Sequence, residues 1–366
     1  MKKICLLLVL VLSLNVMGKN LQQEQDMKLL PEKKEGGLLV SPVLYYLPET
    51  RLAFGVVGNM VFRLGNANGD GRPSTLSPIF IYTQNKQYRF QLNADVYFKR
   101  DDYHLLADMK FLRYPDKFFG IGNANTESME EDFTADTFAV SLSFLKKVAP
   151  HTNIGLDFDY SNMDVSEYEA GKQLAGGKIP GSRGCRLSGL GLQVDVDSRD
   201  NVFFPSRGVW FKLSAQFNSP VLGSACEFQT YRLDMRKYFS LFSTHVLAIQ
   251  ALFQAQYGDV PFHKLSRLGG QYVMRGYFDG RFRDRDLLAL QAEYRLPLFW
   301  RLGAVGFVGL GQVAPVFRDF RLDSLKKTMG LGLRYRFNNE ENMCLRFDIG
   351  FGQDSSGFYF SVFEAF

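Results

Sequence analysis

Arg275 sits in the run VMRGYFDG, residues 273–280, within the longer stretch LSRLGGQYVMRGYFDGRFRDRD. That stretch is too irregular for a strand and too rich in glycine for a helix, so it reads as a loop leading into the alternating run DLLALQAEYRLPL. A guanidinium offers a rigid fork of donors that fits a carboxylate through two parallel bonds, which fixes direction as well as distance. A second concentration of opposite charge lies in DVDSRDNVFFPSRG, where Asp197, Arg199 and Asp200 are placed to tie a turn through carboxylate–guanidinium bonds.

Catalytic and metal chemistry find little support. The four histidines, His104, His151, His245 and His263, show no motif pairing with a serine, and GxSxG is missing, so no enzyme is expected. GNANGDG puts Asn66, Asn68, Asp70 and Gly71 at the spacing of the start of a calcium loop. Ser77 stands where that loop needs a bidentate glutamate, so the run reads as a polar turn. Beyond Cys5 there are three cysteines, Cys185, Cys226 and Cys344, and an odd number without CxxC spacing argues against a disulfide scaffold or a zinc site. Cys185 and Cys226 fall near one rim, and whether they are bonded stays open. Neither metal nor cofactor is expected.

The elements that must carry these groups have a period of two. In RFQLNADVYFK, Phe90, Leu92, Ala94, Val96 and Phe98 alternate with Arg89, Gln91, Asn93, Asp95, Tyr97 and Lys99. NIGLDFDYS and VWFKLSAQF repeat the pattern, and about sixteen such segments fill the chain from residue 38 to residue 366. Most connections alternate in length. KRDD, KKVAPH, SLFS, LFWR and NNEEN are short, whereas residues 115–132, 163–185, 257–285 and 315–325 are long. Aromatic residues gather at segment ends, as in Tyr45–Tyr46, Phe203–Phe204 and Phe299–Trp300. A membrane-spanning barrel with short turns on one side and longer loops on the other has this signature.

The ends and the composition agree with export. MKKICLLLVLVLSLNVMG carries two lysines, an apolar run and small residues before a cleavage point, so residues 1–18 read as a signal peptide and residues 19–37 as a short periplasmic tail. No later run reaches the roughly 18–20 apolar residues of a membrane helix. The chain is 46% hydrophobic with 34 glycines, and its formal charge of +5 falls to about +3 once Lys2 and Lys3 are removed. Nucleic acid is not an expected partner, because no basic face is clustered.

Four stretches carry a family resemblance. DVDSRDNVFFPSRGVWFKLSAQF looks like a periplasmic turn with Asp197, Arg199, Asp200, Pro205 and Gly208 in the expected order, and PFHKLSRLGGQYVMRGYFDG looks like a sixth extracellular loop. LQAEYRLPL and GAVGFVGLGQV look like the two strands after it, and together the four resemble the barrel half of the BamA/TamA family of outer-membrane assembly and translocation proteins. The resemblance implies an all-β antiparallel barrel of about 16 strands over residues 38–366, integral to the outer membrane of a Gram-negative bacterium. It also implies a sixth loop folded inward with Arg275 at its tip. Outer-membrane lipid, client polypeptides or a separately encoded periplasmic partner are the partners it implies. Two departures stand out. Gly309 occupies a position where relatives often carry an aspartate, and residues 19–37 are too few for the family's periplasmic (POTRA) domains.

If the loop folds inward, strand parity names the partners of its arginine. Leu288, Leu290, Ala292 and Tyr294 face lipid and turn Glu293 inward; Met343, Leu345, Phe347 and Ile349 do the same for Asp348. Gly276 allows a tight turn beside Arg275, and Tyr277 packs on the wall. This contact either pins the loop or takes part in gating. Pro42 lacks an amide proton and belongs at a strand edge or bulge. A weak seam is therefore expected between the first strand and the last, whose outer face would carry Phe358, Phe360, Val362 and Phe366. Two functions follow: an insertase- or translocase-like barrel passing polypeptide or lipid, and a non-catalytic pore or structural surface barrel.

Overall fold

The structure is a computed structural model that describes residues 37–366 apart from 48–50, 65–71, 243, 339–342 and 363. The expected signal peptide, the tail up to residue 36 and the GNANGDG turn lie outside the described residues. Alternating sequence becomes strand throughout. The first nine strands are β1 (Leu38–Leu47), β2 (Arg51–Phe62), β3 (Ser74–Thr83), β4 (Tyr88–Phe98), β5 (Tyr103–Phe118), β6 (Glu131–Ala149), β7 (Thr152–Tyr168), β8 (Gly184–Asp197) and β9 (Gly208–Asn218). They are followed by β10 (Phe228–Leu241), β11 (His245–Gly258), β12 (Ser266–Leu268), β13 (Phe282–Asp284), β14 (Asp286–Pro297), β15 (Leu302–Ala314), β16 (Lys326–Asn338), β17 (Met343–Gly352) and β18 (Ser355–Val362).

All but β12 and β13 join one antiparallel sheet of 16 strands in sequence order. Neighbours pair in simple up-and-down register, for example Gln91 opposite Lys110 and Glu293 opposite Phe307. The sheet curls on itself into a barrel, as contacts across it require: Arg72, just before β3, reaches Asp197 at the end of β8, and Asn123 after β5 reaches the Ser324 carbonyl before β16. Among the described residues, no strand pairing joins β1 to β18.

Parity decides what each face meets. Phe54, Phe80, Phe111, Leu156, Leu192 and Leu331 point outward and are exposed, forming an apolar outer face. Their neighbours point into the lumen, where the core lies. The strands β5, β6 and β7 have 16, 19 and 17 residues, more than the roughly 9–11 that span a bilayer. They therefore stand as a raised wall above the shorter strands of the sheet, which is why the loops beside them are shorter than sequence alternation suggests.

Between β11 and β14 the chain turns into the lumen. Its two short strands β12 and β13 pair as a hairpin and pack Leu268, Met274, Tyr277 and Phe282 on Leu252, Leu287, Ala289 and Val313 of the wall. This apolar contact, not a surface turn, sets the loop's position.

Candidate functional site

The loop is seated on glycines. In β15, β16 and β17 the inward positions include Gly309, Gly311, Gly330, Gly332, Gly350 and Gly352, and each leaves a space that the loop or its partners occupy. A β-carbon at Gly350 would lie 2.7 Å from the Arg275 carbonyl carbon and the Gly276 nitrogen, which are backbone atoms unable to yield. At Gly352 it would meet the Tyr277 ring at 2.6 Å, and at Gly309 the Met274 sulfur at 2.8 Å. The wall is thus moulded to the loop at backbone level. Gly276 itself has φ +119, a conformation that only glycine adopts without strain.

Hydrogen bonds hold the same segment on three sides. The Gly276 amide donates to the Tyr359 hydroxyl at 2.8 Å, that hydroxyl donates to the Tyr277 carbonyl at 3.1 Å, and Ser355 Oγ donates to the Gly276 carbonyl at 2.7 Å. The Tyr277 hydroxyl donates to the Lys327 carbonyl at 3.2 Å and accepts the Gln353 amide at 2.9 Å. Gln291 accepts the Met274 amide at 2.9 Å. Wall residues thus meet the Met274 and Gly276 amides, the Gly276 and Tyr277 carbonyls and the Tyr277 hydroxyl, as burial requires.

Arg275 is 1% exposed, and its guanidinium forks between two strands. Nη2 donates to Glu293 Oε2 at 2.6 Å, and Nη1 donates to Asp348 Oδ2. Its flat face lies 3.6 Å from the centroid of the Phe307 ring, a desolvated cation–π stack. The stack depends on Gly330, where a β-carbon would lie 2.2 Å from the Phe307 ring. Three further arginines complete the cluster. Arg295 Nε donates to Glu293 Oε1 at 2.7 Å, Arg334 Nη1 donates to Asp348 Oδ1 at 2.5 Å, and Arg346 Nε lies 3.7 Å from Asp348 Oδ2. Four guanidinium groups around two buried carboxylates offset the hydration that both signs of charge lose on burial.

Arg295 joins this cluster to the turn motif. Its Nη1 donates to the Pro205 carbonyl at 3.2 Å, and its plane lies 5.4 Å from the Phe204 ring centroid. Within the turn, Arg199 grips Asp197 through Nε at 2.9 Å and Nη2 at 3.0 Å, while Arg72 Nη1 donates to the same carboxylate at 2.6 Å. Asp200 accepts the Ser206 amide at 2.9 Å and the Arg207 amide at 3.2 Å, as well as the Ser206 hydroxyl. Partial burial raises the Asp200 carboxyl, but these hydrogen bonds outweigh it and hold it below the ordinary value. Gly208 has φ +109 and passes so close to Ser198 that a β-carbon would lie 2.3 Å from its carbonyl oxygen.

Phe366 is placed differently from the strand pattern. β18 ends at Val362, and residues 364–366 are buried inside the barrel instead of continuing its outer face. Arg334 Nε binds the Glu364 carboxylate at 2.9 and 2.8 Å, Arg295 Nη2 donates to the Phe366 carbonyl at 2.8 Å, and the Phe366 side chain packs with Tyr238, Val246 and Ala248. The arginines draw the acid inward, and the aromatic follows. Pro42 is exposed in β1 opposite Val56, away from the arginine cluster.

The structure therefore brings together Arg275, Gly276, Tyr277, Glu293 and Asp348, and connects them to Pro205 through Arg295. Sequence reasoning did not single out Arg295, Arg334, Arg346 or Phe307. Parity held a signal for them, since Arg295 shares a face with Glu293 and Arg346 with Asp348.

Higher in the loop, cations crowd His263. Burial, then Lys264, Arg283 and Arg267, push its imidazole down to about 3, so it is neutral in the fold. Arg283 donates to the Lys117 carbonyl at 3.0 Å, bridging the loop to β5, and burial pushes its guanidinium down to about 10.

Comparison with known proteins agrees with this architecture. The family model described as the Omp85 superfamily domain matches residues 68–366. BamA from Haemophilus ducreyi lacking POTRA domains 1–3 superposes with a TM-score of 0.58 at 14% identity, over 90% of this chain and 71% of that one. CdiB from Acinetobacter baumannii superposes with a TM-score of 0.52 at 13% identity, over 90% of this chain and 60% of that one. Comparison with curated proteins gives no sequence match. By its sequence model, supported by the barrel and its seated loop, the chain belongs to the Omp85 superfamily.

Proposed function

We propose that the protein is an integral outer-membrane barrel, exported by residues 1–18 and preceded by a short periplasmic tail over residues 19–37, that assembles or passes polypeptide at the seam between its first and last strands. The observation that carries this reading is an asymmetry. β14, β15, β16, β17 and β18 are bolted to the inward loop through Arg275, Tyr277 and Tyr359, while β1 has no strand partner on its other side among the described residues. A rigid final quarter beside a free edge is suited to strand addition, in which a client segment pairs with exposed backbone groups. Pro42, exposed in β1, contributes no amide proton to such pairing.

In this reading Arg275 is a fastener and the chemistry is non-covalent. The loop closes one half of the lumen, so the client route runs along the seam and the bilayer beside it. Outer-membrane lipid, a client polypeptide and a separately encoded periplasmic protein are the partners the reading requires. The test is the folding rate of an unfolded outer-membrane β-barrel polypeptide added to lipid vesicles. Vesicles carrying this protein should fold it faster than empty vesicles, and equal rates would reject the reading. Cysteines placed at Val43 and along β18 should trap several registers; one fixed register at full yield would reject the seam.

A second reading, a pore or structural barrel, rests on the other half of the lumen. There the wall from β4 to β9 is polar and borders cavities of about 100 and 250 Å³. A large steady conductance in planar bilayers would favour it over the first.

A further inference from the structure

We propose that Cys185 and Cys226 form a disulfide across the rim that carries the long loops. The backbone sets the pairing. β9 ends at Asn218, and the chain then makes a short excursion through the turn Pro220–Leu222 before β10 begins at Phe228. Beyond the end of β9, β8 and the approach to β10 come side by side, because the Ala225 amide donates to the Arg186 carbonyl at 2.8 Å. Cys226 and Cys185 are the next residues beyond that bond on either side, so the bond brings their backbones close together. A disulfide accepts α-carbon separations of about 4.4–6.8 Å.

The side chains agree with the backbone. Both cysteines are free thiols in this structure and pack on the same cluster of Leu187, Phe228, Val260 and Leu265. Ser224 Oγ donates to the Cys226 carbonyl at 2.6 Å and accepts its amide at 3.4 Å, which fixes the approach to β10. Both residues are half-buried, so an oxidant can reach them. Cys344 is different: it is buried in β17 with its sulfur 3.5 Å from the Glu364 carboxylate.

The step is a thiol–disulfide exchange with an oxidised dithiol, either a protein or a small-molecule disulfide. One thiolate attacks that disulfide, and the second then attacks the mixed disulfide. The two cysteines lose two protons and two electrons, and the oxidant leaves as two thiols. The bond ties β8 to β10 over the end of β9. It lies beneath Val260 and Leu265, where the chain leaves β11 for the inward loop, so it fixes the root of that loop.

The full chain, exported in a bacterium and denatured in N-ethylmaleimide without reductant, should give on tryptic digestion residues 184–186 linked to residues 213–232, with maleimide on Cys344. Reductant should release the two peptides, and Cys185→Ser should leave Cys226 labelled in protein that still shifts on a gel when boiled. Maleimide on both Cys185 and Cys226 in such heat-modifiable wild-type protein overturns the proposal. A peptide linking either of them to Cys344 overturns it as well.

Discussion

The two halves of the lumen are built on opposite principles. From β14 to β18 the inward face is rich in glycine and arginine: glycines admit the loop's backbone, and Glu293, Asp348 and the nearby Glu364 are each shared between two or more guanidinium groups. From β4 to β9 the inward face is short polar side chains bonded to their neighbours, such as Gln91 to Asn93 at 3.0 Å and to Asp108 at 2.9 Å. Lys110 and Asp108 pair at 2.8 Å yet keep 40% and 26% of their side chains exposed. The first half is packed against the loop. The second borders open cavities, and half-exposed pairs such as Lys110–Asp108 contribute little to stability.

Substitution should break this contrast unevenly. The largest effect is expected at Gly350, where valine would collide with the backbone of Arg275 and Gly276. Overpacking that side chains can relieve costs about 1–3 kcal/mol; here the atoms met are backbone and cannot yield, so the seating of the whole loop is lost. Gly350→Val should expel the loop, read as new protease cutting within residues 267–285. Next comes Glu293→Gln, which removes the charge shared by Arg275 and Arg295. Removing one partner of a buried pair costs about 3–5 kcal/mol, reduced here because Asp348 and Glu364 remain. The thermal shift on heat-modifiability gels should fall well below wild type, though the barrel still forms. In the wet half, Asn93→Ala and Ser214→Ala should change stability by no more than about 0.5 kcal/mol, as for exposed positions. A collapse there would show that the second half is as tightly organised as the first.

A separate effect is one of pH. His263 is held neutral, its pKa lowered from 6.5 to about 3, so the loop gains stability from it above pH 6.5 and loses that contribution as pH falls toward 3. Loop protection from an acid-stable protease should decline across that window in wild type and decline less in His263→Phe.

Much of this was legible in the sequence, for a physical reason. Alternation such as Phe90 to Phe98 survives because lipid on one side and water on the other impose it residue by residue. The same parity turned Glu293 and Asp348 inward, and the loop's length with its arginine gave them a partner. The glycine seat was not legible. Glycines in GAVGFVGLGQV and IGFGQ look like weak strand positions until the segment that fills their space is known. Nor could local pattern show that residues 364–366 leave the strand line, because the pull comes from Arg334 and Arg295, far away in sequence.

The central claim is that Arg275 fastens the loop inside the barrel, and trypsin tests it most directly. The loop offers Arg267, Arg281, Arg283 and Arg285 as cleavage sites whether or not Arg275 is present. In outer-membrane vesicles the wild-type loop should resist cleavage, and Arg275→Ala should be cut between residues 267 and 285 while the strands stay intact. Equal protection in wild type and Arg275→Ala, or a wild-type loop already cut at the same rate, would contradict the account.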